Sequence, residues 1–336
     1  MAFRKRPKSL YHYCPMETFL AIINNRSFRL GDIRMSNDTW EIDWGFTNVT
    51  TSAAVISDIG SHHTDSLADM HAPFHEPGKE NEGTYVTWDG TPESSPHCLA
   101  CFAENPELLE EAAQYENADL VYGGPITIPR FLIQSKERLE RCNRFYSLCM
   151  SEEKDLLSQW RGYADNGRGV CLELNSEYFS ELADSCSYAG FSFDYVRYGY
   201  PRFDDVVYAG KKYFGDLDRF DRLLRMAPYY KNESFEEERE WRMVLRLEDH
   251  SRDQELSLIS QEAGGLLSDI AVNVRAASGK LIPFVEIRPP KFDEVLVSVT
   301  IGPAASANIE DVELALAISG LENVEVTEST STYTHK

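Results

Sequence analysis

Apolar residues recur at every second position in some runs of this chain and at helical spacing in others. Leu10-Tyr11-His12-Tyr13 is an aromatic run of β character, and after Pro15 the set Phe19, Leu20, Ile22 and Ile23 marks one face of an amphipathic helix. Residues 27–30 predict a second short strand, and 34–41 a polar loop in which Asn37 and Asp38 suit turns. Helices are expected over 107–115 and 129–143, a strand over 144–150 and a short helix over 156–163. Gly167 and Gly169 then turn the chain into a strand over 170–174. A strand follows over 191–198 and a helix over 216–226. In 241–247 the charged Arg242 and Arg246 alternate with apolar residues, which reads as a half-buried strand. Two more strands, 281–287 and 294–301, precede an amphipathic helix over 309–319 with Gly320 as its stop.

These elements lack the regular rhythm of βαβ units. The expected class is α+β: a mixed, mostly antiparallel sheet with flanking helices, in a single domain over 1–336. Residues 61–96, rich in His, Gly, Pro, Glu and Ser, read as a long mobile insertion in it. No glycine-rich dinucleotide fingerprint or P-loop occurs.

Composition narrows the function classes. With 42% hydrophobic and 12% aromatic residues in 336, a sizeable core is available and wholesale disorder is excluded. Charges interrupt every apolar stretch well short of the roughly 20 residues that span a bilayer. No apolar segment follows the basic start, so neither membrane insertion nor export is expected and a cytoplasmic location is. The formal charge of −22 opposes extended DNA binding, while leaving room for a nucleic-acid target held in one local basic cleft. The 7 cysteines read as reduced thiols. His62, His63, His71 and His75 suggest a metal, but Pro73 breaks the helix that would align the last two, and a solvated loop is the favoured reading. Cys98 and Cys101 have half of a zinc set, and their apolar neighbours point to a strand instead.

Four polar clusters remain. His12 with Tyr13 offers a near-neutral imidazole for a ribose hydroxyl or a phosphate, or else a core histidine bonded to a carbonyl. Asn37, Asp38 and Glu41 fit a turn and a helix cap. Trp160 and Tyr163, three apart on a helix, form either a stacking wall for a ring or a core stripe, with Arg161 and Arg168 available for phosphates. Finally, Glu238, Glu240 and Arg242 share one face if 238–242 is a strand, opposite Arg239 and Trp241. Two carboxylates there can divide the work of binding a ribose diol and of stabilising an oxocarbenium-like centre. A solvated acidic run is the plainer alternative.

Taken in order, Leu10 to Tyr13, Asn37-Asp38 with Glu41, Ser158 to Tyr163 with Gly167 to Val170, Phe235 with Glu238 to Arg242, Leu281 to Phe284, Ile301-Gly302-Pro303, and Ser329 with Tyr333 resemble a bacterial domain family of unknown function that includes AbiGi-type abortive-infection proteins. Departures are the longer segment at 61–96 and the ending Tyr333-Thr334-His335, where a basic residue is usual in the family. An early His strand, a central aromatic element and a late Glu-x-Glu strand are in turn similar to the layout of ADP-ribosyltransferases. That similarity implies NAD as substrate. It would place His12 and Tyr13, with Trp160, Tyr163 and Arg168, around the NAD, Glu240 or Glu238 as catalytic carboxylate, and Arg242 as its orienting partner. The function expected on this basis is NAD-dependent ADP-ribosyl transfer to a protein or nucleic-acid target, in anti-phage defence or as a toxin. A non-catalytic module sensing a nucleotide or a phage protein, and a metal-dependent nuclease or hydrolase, are the alternatives.

Overall fold

The computed structural model describes residues 4–35, 143–186, 190–199, 225–248, 252–277 and 279–333. The chain separates into two compact units: Met1–Thr39, Arg144–Tyr198 and Glu233–Lys336 make the first, Trp40–Asn143 and Gly199–Asn232 the second. The segment 61–96, Cys98, Cys101, the loop residues 36–41, the helix expected over 107–115 and nearly all of those over 129–143 and 216–226 lie outside the described residues.

The first unit opens with strand β1 (Ser9–Cys14) and helix α1 (Met16–Asn25). Pro15, held at φ −61, suits the entry to α1, and Arg26 ends the helix in the left-handed region at φ 48. Strands β2 (Phe28–Asp32) and β3 (Asn143–Ser151) follow, then helix α2 (Leu157–Tyr163), β4 (Val170–Asn175) and helix α3 (Ser176–Ser185). The Asn175 side chain caps α3 by accepting the Glu177 N–H. Next come β5 (Phe191–Tyr195) and β6 (Arg197–Tyr198). A short strand of the second unit, β7 (Tyr230–Lys231), is buried. The first unit resumes with β8 (Glu240–Glu248), α4 (Arg252–Glu262), β9 (Asp269–Ala277) and β10 (Lys280–Arg288). It closes with α5 (Phe292–Val295), β11 (Leu296–Ile301), α6 (Ile309–Ile318) and β12 (Glu325–Glu328). A reciprocal pair of hydrogen bonds between Asn308 and Asp311 starts α6, and Gly320, at φ +68, follows its end.

The strands join in the order β12-β11-β4-β1-β3-β2-β10-β9, and β8 pairs with both β3 and β5, giving ten strands in one sheet. β11 and β12 run parallel, whereas β4 with β1, β1 with β3, β3 with β2, and β5 with β8 are antiparallel. The fold is α+β with a mixed, mostly antiparallel sheet, as the residue pattern indicates.

One side of this sheet carries the main core. Leu10 and Cys14 of β1, Phe28 and Leu30 of β2, Tyr146, Leu148 and Met150 of β3, and Trp241, Met243 and Leu245 of β8 meet Phe19 and Ile23 of α1 and Phe179 and Leu182 of α3 there. Phe28 stacks on Phe292 with ring centroids 5.1 Å apart and meets Phe179 edge-on at 5.8 Å. On the other side of β1, Tyr13 packs with Trp160, Ala164 and Cys171 in a second, smaller cluster.

Sequence pattern misses α3, α4, β9 and β12. Only Ile259 of α4 is buried, so that helix shows no apolar stripe. A helical turn at Phe292–Val295 also shortens the strand expected over 294–301. Among the described residues no helix is long and apolar enough to cross a membrane.

Candidate functional site

Strand β8 has two unlike sides. Trp241, Met243, Leu245 and Leu247 enter the core, where the Trp241 ring meets Phe193 at 5.4 Å and Tyr195 at 5.7 Å. The opposite side presents Glu240, Arg242, Val244 and Arg246, with Asp194 of β5 in register with Arg242 and Ser192 with Val244. All six are buried. The alternation expected of a half-buried strand is present, but here its ionic side is also covered.

Buried charges carry a desolvation cost of several kcal/mol each unless paired. Arg242 meets this with a two-pronged contact: Nε donates to Glu240 Oε1 at 2.7 Å and Nη2 to Oε2 at 2.8 Å, with the side chains 1% and 6% exposed. Asp194 accepts Arg197 Nη2 at 3.0 Å, and that guanidinium lies 4.3 Å from the Tyr195 ring centre. The Glu240 N–H donates to Tyr198 Oη at 2.9 Å. Burial first, then the charges of Glu240 and Glu238, raises the Tyr198 pKa above the phenol's ordinary value, so Tyr198 is a neutral phenol beside two carboxylates.

Glu238 is equally buried but not on the strand. It ends a 3₁₀ turn, Glu233–Glu238, and Arg239 at φ 43 separates it from β8. Glu240 and Arg242 therefore share a side as the pattern requires, and the left-handed residue removes Glu238 from that row. Its carboxylate accepts Tyr163 Oη–H at 3.0 Å and its carbonyl accepts Ser151 Oγ–H at 2.8 Å. The Glu152 N–H donates to the Arg239 carbonyl at 3.1 Å, Trp241 Nε1 donates to Glu152 at 2.7 Å, and Arg239 pairs with Glu153. The end of β3 thus fixes the turn that presents Glu238.

The aromatic residues of α2 and β1 form a brace. Trp160 is 0% exposed and meets Tyr13 edge-on at 4.9 Å, so no ring face is open to a base. Tyr13 Oη donates to the Glu153 carbonyl at 2.9 Å and accepts the Leu156 N–H at 2.8 Å. Tyr163, partly buried against this cluster, is the member that reaches Glu238. His12 alternates with Leu10 and Cys14 on the core side of β1, away from Tyr13. Its Nδ1 donates to the Cys149 carbonyl at 2.8 Å. Burial lowers the His12 pKa below the ordinary imidazole range, outweighing that bond, so the ring is neutral at pH 7 with Nε2 as an acceptor. Arg168 is exposed and chelated by Asp165 at 2.9 and 2.7 Å. The structure thus pairs Glu240 with Arg242 and Glu238 with Tyr163, sets Tyr198 beside both carboxylates, puts Tyr13 and Trp160 behind Tyr163, and leaves His12 and Arg168 elsewhere.

Sequence reasoning overlooks Tyr198 and Asp194 here, and it counts Ser151 in the polar run leading to Trp160 without giving it a role. Asp194 has a signal, since Ser192 and Asp194 alternate with Phe191, Phe193 and Tyr195; Tyr198 and Ser151 have none. Asp155 lies in the same run and is likewise given no role there. Held at φ 68, it accepts Trp160 Nε1 at 2.7 Å, the Thr330 N–H at 2.7 Å, Thr330 Oγ1 at 2.8 Å and the Ser329 hydroxyl. Burial acts to raise its pKa, but the bonds from Ser329, Thr330 and Trp160 prevail and hold it below the usual aspartate range. A carboxylate lowered in this way stabilises the fold above its unfolded pKa, and that stability is lost only as pH falls through the folded value. Asp155→Ala is expected to cost about 1–3 kcal/mol at neutral pH. It should also open residues 329–333 to limited proteolysis; a segment that stays protected would contradict this attachment.

Neither the curated proteins nor the solved structures contain a match to this chain. Residues 159–243, which include Trp160, Tyr163, Glu238, Glu240 and Arg242, match the model of the family described as Protein of unknown function (DUF2971).

Proposed function

We propose that the chain is an NAD-dependent ADP-ribosyltransferase-like enzyme in which Glu240 is the catalytic carboxylate and Glu238 its assisting acid–base. The observation that carries this reading is a pair of buried glutamates two residues apart, each held by a different partner: Glu240 by the Arg242 fork and Glu238 by the Tyr163 hydroxyl. Breaking the nicotinamide–ribose bond builds positive charge on the ribose C1′ as nicotinamide leaves with the bonding electron pair. A preoriented carboxylate stabilises that charge without reorganising. The acceptor nucleophile then bonds to C1′ and its proton passes to the second carboxylate. In this version Tyr163 is the aromatic nearest the substrate, and Tyr13 and Trp160 brace the helix that carries it. A role in anti-phage defence or as a toxin rests on the resemblance to abortive-infection proteins.

One observation favours a second reading, a non-catalytic module that senses a nucleotide or phage protein: Arg242 already spends both prongs on Glu240. Incubation with ³²P-labelled NAD and cell lysate separates the two. The enzyme is expected to transfer label or release nicotinamide, and Glu240→Gln to lower the rate by at least about 100-fold. No transfer and no nicotinamide release by the wild type would remove the enzymatic reading.

A further inference from the structure

The far edge of the sheet is built differently from the site. β9 is nine residues long, and among the described residues nothing pairs with its outer edge. Long edge strands are usually blunted by proline, lysine or a bulge, because their free N–H and C=O groups recruit other strands. β9 reads Asp-Ile-Ala-Val-Asn-Val-Arg-Ala-Ala, with none of these residues, and pairs with β10 without a register shift. On the core side of the strand, Ile270 and Val272 pack into the molecule, but Val274 is 60% exposed. Leu281, in register with Ala276 on the same side, is 73% exposed. The other side bears Asp269 at the start of the strand, where one carboxylate oxygen accepts Arg288 Nη1 at 2.7 Å, and Arg275 two residues before its end, both exposed.

These charges make the edge complementary to itself. Antiparallel pairing of β9 with the β9 of a second copy, Val272 against Val272, sets Asp269 opposite the partner's Arg275 and Arg275 opposite the partner's Asp269. The same register brings Ile270 against the partner's Val274, so the exposed valines continue each other's core side. Both ion pairs and both apolar pairs are repeated by one two-fold axis, which closes the assembly at two copies.

We propose that the chain forms a homodimer through edge-to-edge pairing of β9, with Asp269–Arg275 pairs fixing the register and Val274 covered on association. Cross-strand charge and apolar pairs of this kind set register as well as affinity. The proposal is independent of the reaction proposed above.

Sedimentation velocity of the full chain from low to high micromolar concentration tests it, with circular dichroism confirming that each variant is folded. The wild type is expected to sediment as a dimer. Val274→Lys, at an exposed position, is expected to raise the dissociation constant at least about tenfold. Arg275→Asp, which would face the partner's Asp269 with a like charge, is expected to do the same. A wild type that stays monomeric, an open-ended assembly, or a dimer indifferent to Val274→Lys would each overturn the proposal.

Discussion

Gly169→Ala is expected to leave little or no folded protein, with a loss above about 4 kcal/mol, the range reserved for a direct structural clash. A methyl group at this position would meet the Cys14 carbonyl oxygen far inside 3.0 Å, and the Cys14 carbonyl carbon and Pro15 Cα at 3.0 Å. Those atoms are backbone at the junction of β1 and α1, so no side chain can rotate away. Gly302 approaches the same place: its N–H donates to the Gly169 carbonyl and the Ala304 N–H to the Gly167 carbonyl, each at 2.9 Å. Gly167, at φ +82, packs against Pro303 and Tyr333. Thermal unfolding by circular dichroism checks the prediction, with Gly162→Ala as control. Gly162 has open space around it in α2, and alanine there should stabilise by up to about 1 kcal/mol. A Gly169→Ala protein melting within a few degrees of wild type would mean the two segments are not this close.

The same junction explains why parts of the site were legible in the sequence and parts were not. Of the segments quoted for the resemblance, Gly167 to Val170 lies within the matched residues 159–243, and it meets Leu10 to Tyr13, Ile301 to Pro303, Ser329 and Tyr333 around β1 and β4. Much of that resemblance is thus a demand of close backbone packing, met by glycines and a proline, rather than of chemistry. Strands β1, β3, β4 and β8 are visible because their apolar residues alternate against one core. Helix α4 is not, since it lacks an apolar stripe, whereas Ile270, Val272 and Val274 of β9 do alternate with polar and small residues and that signal is passed over. Within the site, residue spacing is enough for Glu240 and Arg242, because a strand repeats every two residues. The departure of Glu238 depends on Arg239 adopting a positive φ, which an arginine does not announce. His12 and Trp160 have the residue types of a nucleotide site, but His12 falls on the core side of β1 and Trp160, on the side of Tyr163, is wholly covered.

The ion pair at the centre of the site provides the second large effect, because removing one partner differs from removing both. Arg242→Met is expected to cost about 3–5 kcal/mol, since Glu240, 5% exposed, then lacks the guanidinium that holds both of its oxygens. The nearby cation Arg197 is committed to Asp194, which is in register with Arg242 across the strand. The double variant Glu240→Leu/Arg242→Met removes both charges and replaces them with apolar side chains of similar size in an already enclosed position. Such replacements are commonly neutral or stabilising by about 1–4 kcal/mol, so the double variant is expected to be at least as stable as the wild type. Urea unfolding of the wild type, the single variant and the double variant measures this directly, and NAD turnover is read on the same preparations. A double variant that is stable but inactive would show a charge pair retained for chemistry at the expense of stability. One that is as unstable as Arg242→Met would show a pair required by the fold, and would remove the physical reason for placing the reaction at Glu240.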